Sequence, residues 1–167
     1  IEQVKRAVNA GAKFIVSPGF DPEIVDYCIS KNIPIYPGCV TPSEGAQAVK
    51  RGLSVVKFFP AKQYGGLDTI KALAAPFPGL KFMPTGGVKE NNINDYLNES
   101  CIVACGGTWM CKKDLIVNGE FGNVVIFYIR CELGVTEALL FFVFVRALPG
   151  VFGGASPTVD AIKTEKG

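Results

Sequence analysis

Short apolar runs alternate with longer amphipathic stretches along most of this chain. The runs are Lys13-Phe14-Ile15-Val16, Ile33-Pro34-Ile35-Tyr36, Ser54-Val55-Val56-Lys57-Phe58-Phe59, Leu80-Lys81-Phe82-Met83 and Cys101-Ile102-Val103-Ala104-Cys105. Each is too short for a core helix, so each is read as a strand, and they recur roughly every 20 to 27 residues. The stretches between them carry helical periodicity. They are Glu23-Ile24-Val25-Asp26-Tyr27-Cys28-Ile29 behind Pro22, Ser43-Glu44-Gly45-Ala46-Gln47-Ala48-Val49 behind Thr41-Pro42, and residues 67–74 and 92–97. Thr, Asp and Asn, with prolines at first-turn positions, supply the start signals, because a first-turn proline lacks only an N–H that the helix leaves unbonded anyway. Strand, helix, strand at this period predicts βαβ units and a parallel sheet, which is the α/β class.

Every strand also ends in similar punctuation: Ser17-Pro18-Gly19, Pro37-Gly38, Pro60-Ala61, Pro84-Thr85-Gly86-Gly87 and Gly106-Gly107-Thr108. Special backbone geometry therefore gathers at the carboxyl ends of the strands, the face on which a (β/α)8 barrel builds its active site. An open doubly wound sheet would give a similar rhythm. The glycine pairs Gly86-Gly87 and Gly106-Gly107 favour the barrel, since backbone amides at glycine approach an anion closely and barrels often hold phosphate after strands seven and eight. On that count the chain is a partial (β/α)8 TIM barrel with about five of the eight strand–helix units, strands four to eight.

Lys57 is the most informative single residue. An ammonium in an apolar strand is costly, and desolvation lowers its pKa, so that a neutral amine becomes available to attack a ketone. The plainer alternative is a lysine whose head reaches solvent from the strand end. Lys62, Lys71 and Lys89 are expected to be solvent-exposed and not to compete.

Composition narrows the chemistry. At 167 residues, 49% apolar and 19% charged, the chain can bury a real core. It contains no histidine, which removes His-based triads and His-ligated zinc. Its six cysteines form no C-x-x-C pair. Cys28, Cys39, Cys101 and Cys105 lie in apolar surroundings and read as buried thiols of a reducing, cytoplasmic compartment rather than metal ligands or disulfides. The net charge of +2 comes from scattered residues, with Lys5-Arg6, Lys50-Arg51 and Lys112-Lys113 the adjacent basic pairs and no longer basic run, so no nucleic-acid footprint is expected. The chain starts at Ile1, and Ile1-Glu2-Gln3-Val4-Lys5-Arg6-Ala7-Val8 reads as the middle of an amphipathic helix. Residues before it are expected in the parent protein.

Several segments, in order, resemble one family. They are Phe14-Ile15-Val16-Ser17-Pro18-Gly19, Ile33-Pro34-Ile35-Tyr36-Pro37-Gly38, Val56-Lys57-Phe58-Phe59-Pro60-Ala61, Phe82-Met83-Pro84-Thr85-Gly86-Gly87-Val88 and Cys105-Gly106-Gly107-Thr108-Trp109-Met110. Over residues 1–122 the chain resembles the KDPG/KHG aldolase family. The resemblance implies a (β/α)8 barrel, a homotrimer and class I aldolase chemistry of the Entner–Doudoroff pathway, with no metal and no organic cofactor. It matches Lys57 to the Schiff-base lysine and Phe59 to the aromatic residue beside the pyruvate part. Thr85 matches the substrate-contacting threonine, and Gly86, Gly87, Gly106 and Gly107 the phosphate-binding turns. Thr108 stands where the family often has serine, and Pro18 lies at the rim after the fourth strand. The family's catalytic glutamate, its carboxylate-gripping arginine and a Gly-Ala-Gly-Thr turn precede the region covered, and no carboxylate in residues 1–122 matches that glutamate.

After residue 122 the resemblance stops. Residues 123–167 are read as a separate, atypical apolar tail. Its longest apolar run, Ala138-Leu139-Leu140-Phe141-Phe142-Val143-Phe144-Val145, is bounded by Glu137 and Arg146 and falls well short of the ~20 residues a membrane span needs. The function expected is cleavage of 2-dehydro-3-deoxy-6-phosphogluconate to pyruvate and glyceraldehyde 3-phosphate. Cleavage of 4-hydroxy-2-oxoglutarate, a catalytically impaired fragment keeping a phosphate-binding corner, and a sugar-phosphate isomerase or epimerase are the alternatives. The partners expected are a phosphorylated keto-sugar acid and pyruvate, with no nucleic acid and no membrane.

Overall fold

The computed structural model describes residues 1–107, 117–118 and 143–145. It divides into two compact units, Ile1–Gly87 and Val88–Gly167. The first unit alternates helix and strand: α1 (Glu2–Asn9), β1 (Ile15–Val16), α2 (Pro22–Ser30), β2 (Ile35–Tyr36), α3 (Pro42–Lys50), β3 (Val55–Phe58), α4 (Gly66–Ala74) and β4 (Lys81–Pro84). The second contains α5 (Ile93–Leu97), β5 (Ala104–Gly106) and β6 (Val143–Val145).

Local chemistry explains where the helices start. Asp21 caps α2, its Oδ1 accepting from Glu23 N at 3.0 Å and Ile24 N at 3.3 Å, and Pro22 fills the first turn. Thr41 caps α3 through a capping box. Its Oγ1 accepts from Glu44 N at 3.3 Å while Glu44 Oε2 accepts from Thr41 N at 2.9 Å and from Val40 N at 2.9 Å. Thr41→Ala is expected to lower unfolding free energy by about 1 kcal/mol, read as a lower urea midpoint at unchanged slope, with Thr41→Ser close to wild type.

The helices also stop alike. Ala12 N donates to Ala7 O, Ile33 N to Cys28 O and Leu53 N to Ala48 O, each a bond that reaches back five residues around a left-handed residue. That residue is Gly11, Asn32 or Gly52. This Schellman closure satisfies carbonyls of the last turn and turns the chain into the next strand.

Strands β1 and β2 pair in parallel, Ile15 with Ile35 and Val16 with Tyr36. Strands β3 and β4 pair in parallel from Val55–Lys81 to Phe58–Pro84. Between the two pairs, Gly38 bridges Lys57 in parallel, with Lys57 N donating to Pro37 O at 2.9 Å and Cys39 N to Lys57 O at 2.8 Å. The spatial order of β1 to β4 thus follows their order in sequence, the arrangement of successive βαβ units.

Burial follows from that layering. Val25, Cys28, Ile35 and Val4 form one core cluster, with Ile15, Phe20, Ile24 and Leu53 packed against it. Val56 and Phe58 on β3, Phe82 and Met83 on β4 and Ile70 on α4 are all buried, as expected of parallel strands covered on both faces. Arg51 clasps α2 to α3 from outside. Its Nε donates to Asp26 Oδ1 at 2.7 Å, and its guanidinium lies 5.5 Å from the Phe20 ring centre. That hydrogen bond holds the Asp26 carboxyl below its usual pKa.

In the second unit Ile93, Tyr96, Leu97, Ile102 and Val103 are buried. Here β5 pairs antiparallel with β6, Cys105 opposite Phe144. The alternating pattern did not anticipate this pairing, because β6 falls within the stretch read as a separate tail. The rest of residues 123–167 lies outside the described residues. Among the described residues no helix is long and apolar enough to cross a membrane, and no group of three or more Cys, Asp or Glu residues is placed to hold a metal ion.

Candidate active site

Lys57 sits one residue before the end of β3, between buried Val56 and Phe58 and itself half-buried. Its alternation along the strand gives its side chain a different face from its two neighbours. Burial pushes its ammonium below the ordinary lysine pKa of 10.5. Its Nζ lies 4.6 Å from the centre of the Phe59 ring. That contact favours the charged form and so acts against desolvation.

Phe59 is the residue that joins the group. It follows β3, keeps 37% of its surface exposed and precedes Pro60 through a cis peptide. Phe59 also meets Gly86. A Cβ on Gly86 would stand 3.3 Å from the Phe59 ring and 3.2 Å from Pro60 Cα, and Gly86 holds a φ of +88°. Two constraints therefore require glycine there, the left-handed backbone and the ring.

Thr85 is tied to the same loop. Its N donates to Phe58 O at 2.9 Å, and its carbonyl accepts from Ala61 N at 2.8 Å. Its Oγ1 is buried with no hydrogen-bond partner among the described residues. A buried hydroxyl left unpaired costs free energy unless something else satisfies it, so this atom is suited to receive a ligand. Gly87 comes next, with a φ of +89°, and a Cβ there would overlap the Lys62 side chain.

The structure thus brings Lys57, Phe59, Thr85, Gly86 and Gly87 to the carboxyl ends of β3 and β4. Pro18 is exposed at the end of β1, its carbonyl pressed against Gly38, the bridge partner of Lys57. Gly106 is buried at the end of β5 and Gly107 follows it, half-buried, in the second unit. Thr108 lies outside the described residues. A surface cavity of about 380 Å³, lined by Lys5, Val8, Asn9, Tyr27, Lys31 and Ile33, contains none of these groups.

A second strand lysine also has large apolar neighbours: Lys81 lies between Leu80 and Phe82 and opens β4. Lys81 pairs with Val55 at the amino end of the strands, away from the end that gathers Thr85 and the glycines, so position along the strand separates the two. Lys62, Lys71 and Lys89 are exposed as expected. Among the described thiols, Cys28, Cys39 and Cys105 are free and buried, and Cys101 is half-buried. Burial raises the pKa of Cys28 and pushes Cys39 and Cys105 up to about 12, with Glu44 adding to the shift at Cys39. Such thiols are poor nucleophiles and poor ligands. Cys111 and Cys131 lie outside the described residues.

Fold and site together define a parallel α/β protein with a desolvated lysine at the carboxyl end of a central strand. The KDPG and KHG aldolase model matches residues 1–126, and the chain belongs to that family. It is 44% identical over 124 residues to the 2-dehydro-3-deoxy-phosphogluconate aldolase of Treponema pallidum, covering 74% of this chain and 59% of that one. It is 46% identical over 123 residues to the Haemophilus influenzae enzyme of the same name, covering 74% and 58%. Among solved structures it resembles the KDPG aldolase of Legionella pneumophila, at 32% identity and a TM-score of 0.74, over 77% of this chain and 63% of that one. That structure holds pyruvate captured at low pH as a covalent carbinolamine intermediate. The chain spans 59% and 58% of the length of these two curated relatives.

Proposed function

We propose that this chain carries the imine-forming part of a class I aldolase that cleaves 2-dehydro-3-deoxy-6-phosphogluconate to pyruvate and glyceraldehyde 3-phosphate. The observation that carries the reading is the half-buried Lys57, with its pKa lowered by burial and its Nζ against Phe59. The neutral amine adds to the substrate ketone to give a carbinolamine, and loss of water gives an iminium. The iminium draws the electron pair of the carbon–carbon bond one atom away, so that bond breaks as the neighbouring hydroxyl gives its proton to water and becomes the aldehyde. The resulting enamine takes up a proton, and hydrolysis releases pyruvate and regenerates Lys57.

In this reading Phe59 packs beside the pyruvate part, and Thr85 Oγ1 donates to bound substrate, which removes the cost of leaving it unpaired. Gly86, Gly87, Gly106, Gly107 and Thr108 hold the phosphate, and Pro18 lies at the rim. Cleavage of 4-hydroxy-2-oxoglutarate needs the same lysine and iminium, with a carboxylate in place of the phosphate, and is the second reading. On the larger scale, β1 to β5 are strands four to eight of a (β/α)8 barrel over residues 1–122, and β6, which pairs with β5, lies beyond the residues that the family model matches. The parent protein is a cytoplasmic homotrimer. Sequential parallel pairing of β1 to β4 supports the barrel.

The test is to incubate the chain with pyruvate, reduce with borohydride and map the adduct by mass. We expect one adduct, on Lys57. Its rate should rise with pH through a window below the ordinary lysine value of 10.5, because deprotonation supplies the nucleophile and burial has lowered its pKa. An adduct that forms only above that value, with the pH profile of exposed lysines, would sink the assignment.

A further inference from the structure

Lys62 takes no part in the chemistry of Lys57, yet it is built into the same corner. It lies in the loop after Pro60, and its N donates to Gly86 O at 2.9 Å. Its stem runs beside Gly87. A Cβ built on Gly87 would overlap Lys62 Cβ and stand 3.3 Å from both its Cγ and its Cδ. Gly87 therefore clears the track along which this lysine lies. The ammonium is two bonds beyond Cδ, which keeps it near the Gly86–Gly87 turn. Among the described residues, no carboxylate pairs with it.

We propose that Lys62 is a specificity-determining residue, lending its positive charge to the anionic end of a substrate held at the Gly86–Gly87 turn. The inference rests on the assignment of that turn to phosphate. A phosphate monoester carries close to two negative charges at neutral pH, whereas a carboxylate carries one. A lysine here therefore favours the phosphorylated substrate over a dicarboxylic one. Unlike the glycines, which accept either anion through backbone shape, Lys62 discriminates by charge. The ammonium acts as a point charge on a flexible stem rather than a planar fork. Its contribution is electrostatic and falls as salt screens it.

The experiment titrates the full chain with inorganic phosphate, followed by 31P line broadening at low ionic strength, in wild type, Lys62→Gln, Lys62→Glu and Lys62→Arg. Because Lys62 is exposed, none of these substitutions disturbs the core. Across a few ångströms of water-like medium, a unit charge acting on a dianion changes affinity by about three- to tenfold. We expect that weakening in Lys62→Gln, a larger one in Lys62→Glu, near-wild-type binding in Lys62→Arg, and convergence of all four at high salt. Equal affinity in wild type, Lys62→Gln and Lys62→Glu overturns the proposal, as does a wild-type chain that binds no phosphate. The pyruvate adduct on Lys57 is measured in the same samples. Loss of that adduct with Lys62-dependent phosphate binding intact defeats the aldolase reading and leaves the anion contact standing. The reverse outcome defeats Lys62 alone.

Discussion

Lys57→Arg is expected to abolish the reduced pyruvate adduct, a drop of at least ~10²-fold in trapped protein, because the reaction needs a neutral amine. Guanidinium keeps its proton at any pH a protein survives, so arginine presents no lone pair to the ketone. It also preserves positive charge beside the Phe59 ring, where Nζ now lies 4.6 Å from the ring centre, and arginine stacks on aromatic faces as readily as lysine. The variant therefore separates nucleophilicity from charge, and its phosphate affinity should stay near wild type. Mass mapping of the adduct is the measurement. Lys81 is the control of interest, since it also lies in a strand between large apolar residues but at the opposite end. An adduct on Lys81 or on exposed Lys62, or one that persists in Lys57→Arg, would overturn the mechanism.

The second large effect is expected from a residue with no chemistry of its own. Gly38→Ala places a methyl group against the carbonyl of Pro18 and 2.8 Å from Gly19 N. These are backbone atoms, so no side chain can swing aside and the ends of β1 and β2 must separate. Overpacking of this kind costs about 3 kcal/mol, and the loss should appear as a lower urea midpoint. The displacement also reaches Lys57, because Gly38 is its bridge partner, so adduct yield should fall in whatever fraction remains folded. Gly19→Ala is the matched control. A Cβ on Gly19 meets nothing within 4 Å, and that variant should lie within about 0.5 kcal/mol of wild type. Equal stability of the two variants would show that the strand ends are not packed as described.

Element type was legible in the sequence wherever a local rule and the packing agreed. Pro22 and Pro42 sit at first-turn positions behind Asp21 and Thr41, and both helices begin there. Each expected strand exists, trimmed in β1, β2 and β3 and displaced toward its carboxyl end in β4 and β5, because apolar character does not coincide with the residues that find a partner strand. The run from Lys13 gives a strand at Ile15–Val16 only. What was not legible depends on contacts between distant segments. The close approach of Pro18 to Gly38 looks in sequence like two ordinary turns. Lys62 reads as one more solvated lysine until Gly87 is seen to make room for it. The Thr85 hydroxyl carries no sequence signal that it is buried and unpaired. Lys57 and Lys81 share the same apolar flanks, and the pairing of β3 with β4 places them at opposite ends. The pairing of β5 with β6 joins residues some forty positions apart in sequence, beyond the reach of any periodicity.

The strand pairs β1–β2 and β3–β4 are joined through one residue. Lys57 N donates to Pro37 O and Lys57 O accepts from Cys39 N, so the backbone of the proposed nucleophile is itself the seam between them. An opening motion that parted the two pairs would have to release both bonds together. It would carry the amine away from the seam in the same movement. What the closed seam fixes is the place of Lys57 relative to β2, while its place relative to β4 is fixed by the four paired positions of β3 and β4.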